Sequence, residues 1–106
     1  MYGTVAQMRA RAGTAQQLID QLKDFEAAQV PGTVAVYCYR MDSDENEYYI
    51  AVVFESKEAY RANAESPEQD ARYRQLCALL EEEPVWHDGE IISSLQKASV
   101  PVPSGE

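Results

Sequence analysis

The chain predicts an α+β fold with the element order strand–helix–strand–strand–helix–strand. Three observations carry that reading: four apolar stretches have the two-residue period of strands, two repeat apolar residues at helical spacing, and Gly or Pro marks several junctions between them. At 106 residues the chain is one domain, long enough to hide about two-thirds of its unfolded surface without disulfide or metal staples.

Residues 2–11 read as the first strand, with Thr4, Ala6 and Met8 on a core face and Val5, Gln7 and Arg9 on a mixed face. Gly13 ends it. Thr14 and Gln17 have the spacing of a capping box, and Leu18, Ile19, Leu22 and Phe25 form one apolar stripe. Pro31-Gly32 cannot continue that helix, so its end is expected near Gln29.

Residues 33–41 form the second strand, apolar on both faces: Val34, Val36 and Cys38 against Ala35, Tyr37 and Tyr39. Residues 42–46 are a polar turn, with Asp42, Asp44 and Glu45 read as solvated because they lack the spacing of a calcium loop. Residues 47–55 complete the hairpin, with Tyr48, Ile50, Val52 and Phe54 opposite Tyr49, Ala51 and Val53.

Ser56 caps a short helix through Tyr60. Ser66-Pro67-Glu68-Gln69 then opens a second long helix with the stripe Tyr73, Leu76, Cys77 and Leu80. Glu81–Glu83 are expected at its carboxyl end, where the helix dipole disfavours them. Residues 85–95 read as the last strand, with Gly89 as a bulge, and 97–106 as a tail beyond a domain of residues 1–96.

Eighteen acidic residues face nine basic ones, a formal charge of −9, which argues against a nucleic acid or an anionic membrane as partner. No apolar run approaches a membrane span, and the first ten residues lack the apolar core of a signal peptide. The two cysteines read as buried, reduced thiols. These points together give the expectation of a cytoplasmic location.

The element order is that of the ferredoxin-like βαββαβ motif, an antiparallel four-stranded sheet with helices on one face. Those helices leave the second face uncovered, although the middle strands are apolar there too. The expected cover is a second copy of the chain in a two-fold homodimer.

At this level the chain resembles the antibiotic biosynthesis monooxygenase domain family, within the dimeric α+β barrel superfamily. The resemblance covers residues 2–95. It is carried by Arg11-Ala12-Gly13 after the opening strand, by the run Val53-Phe54-Glu55-Ser56-Lys57-Glu58-Ala59-Tyr60, and by Ser66-Pro67-Glu68. It implies a sheet-to-sheet dimer with a pocket in each subunit between sheet and helices. It also implies, for enzymatic members, oxidation of phenolic or quinol-like compounds by dioxygen, often with no metal or flavin. Two histidines frequent in the family are replaced here by Asn63 and Gln69. The histidine and asparagine pair of haem-degrading members is missing.

The residue types needed for such chemistry are a base, polar groups for a developing anion, and an apolar wall. His87, Asn63 and Tyr73 are the catalytic candidates, and Trp86, Arg72 and Tyr37 the substrate-binding ones. Each has a plain structural reading beside it. His87, the only histidine, is a general base or a rim residue, and Trp86 stacks on a substrate or packs in the core or interface. Arg9 and Arg40 read as structural, pairing across the dimer interface with Glu47, Glu55 or Glu90. A metal built on His87, Asp88 and Glu90 is disfavoured because neighbours on a strand point to opposite faces. A single histidine rules out a two-histidine metal site within a subunit, and no glycine-rich phosphate loop is present, so neither a metal nor a nucleotide cofactor is expected. The expected function is a cofactor-independent monooxygenase acting on a small aromatic, phenolic or polyketide-like compound. The alternative is a non-catalytic dimeric barrel that binds a small hydrophobic ligand in a protective or regulatory role.

Overall fold

The computed structural model describes residues 1–95, so the expected tail at 97–106 lies outside the described residues. In chain order the elements are β1 (Tyr2–Arg9), α1 (Ala15–Ala27), β2 (Thr33–Arg40), β3 (Glu47–Phe54), α2 (Lys57–Ala64), α3 (Pro67–Cys77) and β4 (Trp86–Glu90). The four strands form one antiparallel sheet in the order β2-β3-β1-β4. This is the ferredoxin-like α+β arrangement that the element order predicts.

Strand alternation decides the core. Thr4, Ala6 and Met8 of β1 pair with Val52, Ile50 and Tyr48 of β3, and all six are buried on the inner face. Leu18 and Leu22 of α1 and Leu76 of α3 pack onto them, joined by Phe54 and Leu80. The outer face carries the other parity, and one row across it runs Tyr37, Ala51, Val5 and His87. Val5, Tyr37 and Tyr39 are 45%, 54% and 54% exposed there.

Local chemistry departs from expectation at several points. Thr14 Oγ1 gives its proton towards the Arg11 and Leu79 carbonyls, at 2.8 and 3.0 Å, and makes no cap bond to α1. The second capping box forms by half. Ser66 Oγ accepts from the Gln69 amide at 3.1 Å, but the Gln69 side chain accepts from Arg72. Ser56 caps α2 through the Ala59 amide, and that helix runs on to Ala64 rather than ending at Tyr60.

Helix α3 ends at Cys77, so Glu81–Glu83 do not stand at a helix terminus. Leu80 instead bridges to Ala10 and is almost fully buried, and the Glu81 amide donates to the Arg9 carbonyl at 2.9 Å. Burying Leu80 and pairing backbone with the end of β1 outweigh another helical turn. The last strand is shorter than expected, ending at Glu90. An irregularity between Thr33 and Ala35 leaves Val34 out of the pairing register and half exposed. Gly89 is paired in register with Gly3 and is no bulge.

Arg9 pairs within its own chain with Asp44 at 2.6 Å and Glu81 at 2.9 Å. Asp44 is therefore an anchored turn residue, its carboxylate also accepting from the Asn46 amide at 2.9 Å. These bonds, the backbone one first, hold its carboxyl below the usual range. Cys38 is exposed on β2 and Cys77 is half-buried, so neither is the fully buried thiol expected. No helix among the described residues is long and apolar enough to cross a membrane.

Candidate functional site

Between the inner sheet face and the helices lies a cavity of about 250 Å³. Its floor is Thr4, Ile50, Val52 and Phe54 from the strands, and Leu22 and Phe25 of α1 form one wall. The α2–α3 junction forms the opposite side. Ser66 builds that junction, capping α3 while its hydroxyl and amide both donate to the Asn63 carbonyl, at 2.8 and 3.0 Å. This holds Asn63, in the last turn of α2, beside the first turns of α3.

Arg72 is placed by two contacts. Its Nε donates to Gln69 Oε1 at 3.2 Å, and its guanidinium lies 5.7 Å from the centre of the Phe25 ring. Among the described residues it has no carboxylate partner, so its terminal nitrogens remain available as donors. Tyr73 meets Trp86 at the cavity wall. Burial first, then the neighbouring Cys77 thiol, pushes the Tyr73 hydroxyl up to about 12, against a hydrogen bond from Trp86 that lowers it.

At the β1–β4 end, Thr4 Oγ1 and Tyr60 OH both reach Asp88 Oδ1, at 2.7 and 2.9 Å. The Tyr60 ring is wedged 5.3 Å from Tyr2 and 5.5 Å from Phe54. Burial, followed by the Asp88 carboxylate, raises its hydroxyl to about 12.

Of the six residues singled out from sequence, Asn63, Arg72, Tyr73 and Trp86 line this cavity. His87 and Tyr37 do not. His87 sits opposite Val5 and Tyr37 opposite Ala51, both on the outer face. Strand parity is the physical reason: on β4, Trp86 and Asp88 share the inner face, and His87 between them cannot. Grouping Trp86 with His87 in one site set that alternation aside. The same alternation would have nominated Asp88, and Thr4, already on the core face, as site residues; Phe25 is visible only as part of the α1 apolar stripe, and Tyr60 carries no signal beyond an aromatic at a helical position. Among the described residues no group of three His, Cys, Asp or Glu side chains could hold a metal ion.

An apolar chamber with amide and guanidinium donors on one side and a carboxylate-anchored hydroxyl pair on the other defines the fold and site of a small α+β pocket protein. The sequence model for antibiotic biosynthesis monooxygenase matches residues 1–75, and the chain belongs to that family. No curated protein matches it. Among solved structures, it is similar to a candidate antibiotic biosynthesis monooxygenase from Chloroflexus aurantiacus J-10-fl. The identity is 22% over 90% of this chain and 96% of that one, with a TM-score of 0.75. The cofactor-independent oxygenase SnoaB from Streptomyces nogalater matches at 18% identity over 91% and 97%, with a TM-score of 0.77. A further candidate monooxygenase from Deinococcus radiodurans matches at 15% over 93% and 100%, with a TM-score of 0.78. At these identities the likeness establishes the fold.

Proposed function

We propose that the chain is a cofactor-independent monooxygenase acting on a small phenolic, aromatic or polyketide-like compound. The observation that carries this is the convergence of Asn63, Arg72, Tyr73 and Trp86 on one apolar cavity between sheet and helices. Family membership and the fold shared with SnoaB support it. In the proposed reaction the bound compound loses a proton, and its anion gives electrons to dioxygen. The peroxide so formed on the substrate carbon breaks at its O–O bond: one oxygen stays as a carbonyl or quinone oxygen, and the other leaves as water with the two hydrogens the substrate gives up, so the substrate supplies all four electrons and no further reductant is needed. Arg72 and Asn63 are the donors suited to hold the developing anion, and Trp86 and Phe25 the surfaces suited to an aromatic ring.

The test is oxygen uptake by the metal-stripped protein with a panel of dihydroxy-aromatics and quinols. The expected result is uptake above the spontaneous rate, insensitive to chelators and reduced by Asn63→Ala and Arg72→Ala. One observation favours the second reading, a non-catalytic binder of a small hydrophobic ligand: His87, the imidazole offered as base, stands on the far side of the sheet. Ligand retention without uptake across the panel would select it.

The proposal includes a homodimer through the outer sheet face, supported by the exposure of Val5, Tyr37 and Tyr39. His87 and Tyr37 would then act at that contact and not at the cavity. Light scattering should give twice the chain mass, and Tyr37→Glu should return the single-chain mass.

A further inference from the structure

Two of the hydroxyls lining the cavity are committed before any ligand arrives. Thr4 Oγ1 and Tyr60 OH both lie within hydrogen-bond distance of one oxygen, Asp88 Oδ1. An ionised carboxylate has no proton to offer, so each hydroxyl must be the donor in its bond. A hydroxyl has a single proton. What remains on both oxygens is lone pairs alone.

The arrangement is held from several sides. Thr4 is 4% exposed and stands directly opposite Asp88 in the β1–β4 register. The Tyr60 ring is fixed between Tyr2 and Phe54. Turning either hydroxyl towards a ligand acceptor would break a bond to a charged group, which is stronger than a neutral one.

We infer that this corner of the cavity selects a ligand by its hydrogen-bond donor, an aromatic O–H or N–H, and discriminates against the same skeleton bearing an ether or carbonyl oxygen there. Asp88 is the positioning residue. It is exposed on β4, does not itself line the cavity, and acts by fixing where the protons of the lining hydroxyls point. The inference rests on the reading of this cavity as the ligand site, and it narrows the ligand class to compounds with a free phenolic or amino hydrogen at that end.

The test is equilibrium dialysis with 1-naphthol and 1-methoxynaphthalene, which share a ring system and differ in the donor. The wild-type protein is expected to hold the naphthol at least about tenfold more tightly, because a site built around a hydrogen bond rejects the analogue that cannot make it. In Asp88→Ala the freed protons can serve an acceptor, so the preference should fall towards unity while the ether gains affinity. Tyr60→Phe keeps the Thr4–Asp88 bond and removes one of the two acceptors, so it should lower the preference by the loss of naphthol binding alone. Equal wild-type affinities, or a preference unchanged in both variants, overturn the inference and leave the cavity as a ligand site. Binding of neither probe overturns both.

Discussion

Gly32 and Gly13 offer a direct measure of how tightly the wall of the cavity is packed. Both have left-handed backbones, at φ +82° and +80°. A Cβ at Gly13 would meet nothing within 4 Å, whereas one at Gly32 would lie 2.5 Å from the Ala59 Cβ on α2. Alanine in the left-handed region costs roughly 1–2 kcal/mol. Part of that is offset in both variants, since alanine stiffens the unfolded chain by about 0.4–1 kcal/mol. Gly13→Ala should therefore cost roughly 0–1.6 kcal/mol. Gly32→Ala adds an overlap that only movement of α2 can relieve, and overpacking of this kind costs about 1–3 kcal/mol more. Urea denaturation of the two variants reads the difference. The double variant Gly32→Ala/Ala59→Gly, compared with Ala59→Gly alone, should recover the overlap cost and leave the backbone cost. Equal losses in Gly13→Ala and Gly32→Ala, or a coupling to position 59 below about 0.5 kcal/mol, would refute the reasoning. Because α2 carries Tyr60 and Asn63, Gly32→Ala should also weaken ligand binding at the cavity.

Leu18 is wholly buried between α1 and the sheet, so Leu18→Ala should lower stability by about 2–5 kcal/mol, read by the same denaturation. Tyr60 should titrate near pH 12, followed by phenolate absorbance. Its folded value lies above the ordinary tyrosine value of 10, so its contribution to stability is whole below about pH 10 and is lost as pH rises towards 12. Asp88→Ala should bring Tyr60 part of the way back, since burial, the largest cause, remains; an unmoved titration would count against the Asp88 contact. Asp44 is shifted the other way. Its contribution is present above the ordinary aspartate range and is lost as pH falls through the lowered folded value. Arg9→Ala should raise the Asp44 titration measured by NMR, but only partly, because the Asn46 amide still donates to it.

The fold was legible because it rests on local periodicity. Thr4, Ala6 and Met8 alternate on β1, and Tyr48, Ile50, Val52 and Phe54 on β3, and both sets are core. The Leu18 and Leu22 stripe of α1 is core as well, and the Ser56 and Ser66 caps stand where their spacing places them. Errors fell where a local signal met a tertiary demand. Thr14 has capping-box spacing, but its hydroxyl is turned to the Arg11 and Leu79 carbonyls, the second 65 residues away in sequence. Helical residues up to Glu83 were plausible until Leu80 found burial beside Ala10.

The sequence alone determined the element order, the core face of β1 and the two alternating sets of β3, and it singled out four residues that line the cavity, because alternation and helical spacing are properties of neighbouring residues. Only the tertiary structure decided which functional groups share a chamber. His87 and Asp88 are adjacent in the chain, yet one joins the row of Val5 and Tyr37 on the outer face and the other accepts hydrogen bonds from Thr4 and Tyr60. Sheet register and the approach of α2 set those meetings. They are contacts across 84 and 28 residues of chain, which composition and spacing do not encode position by position.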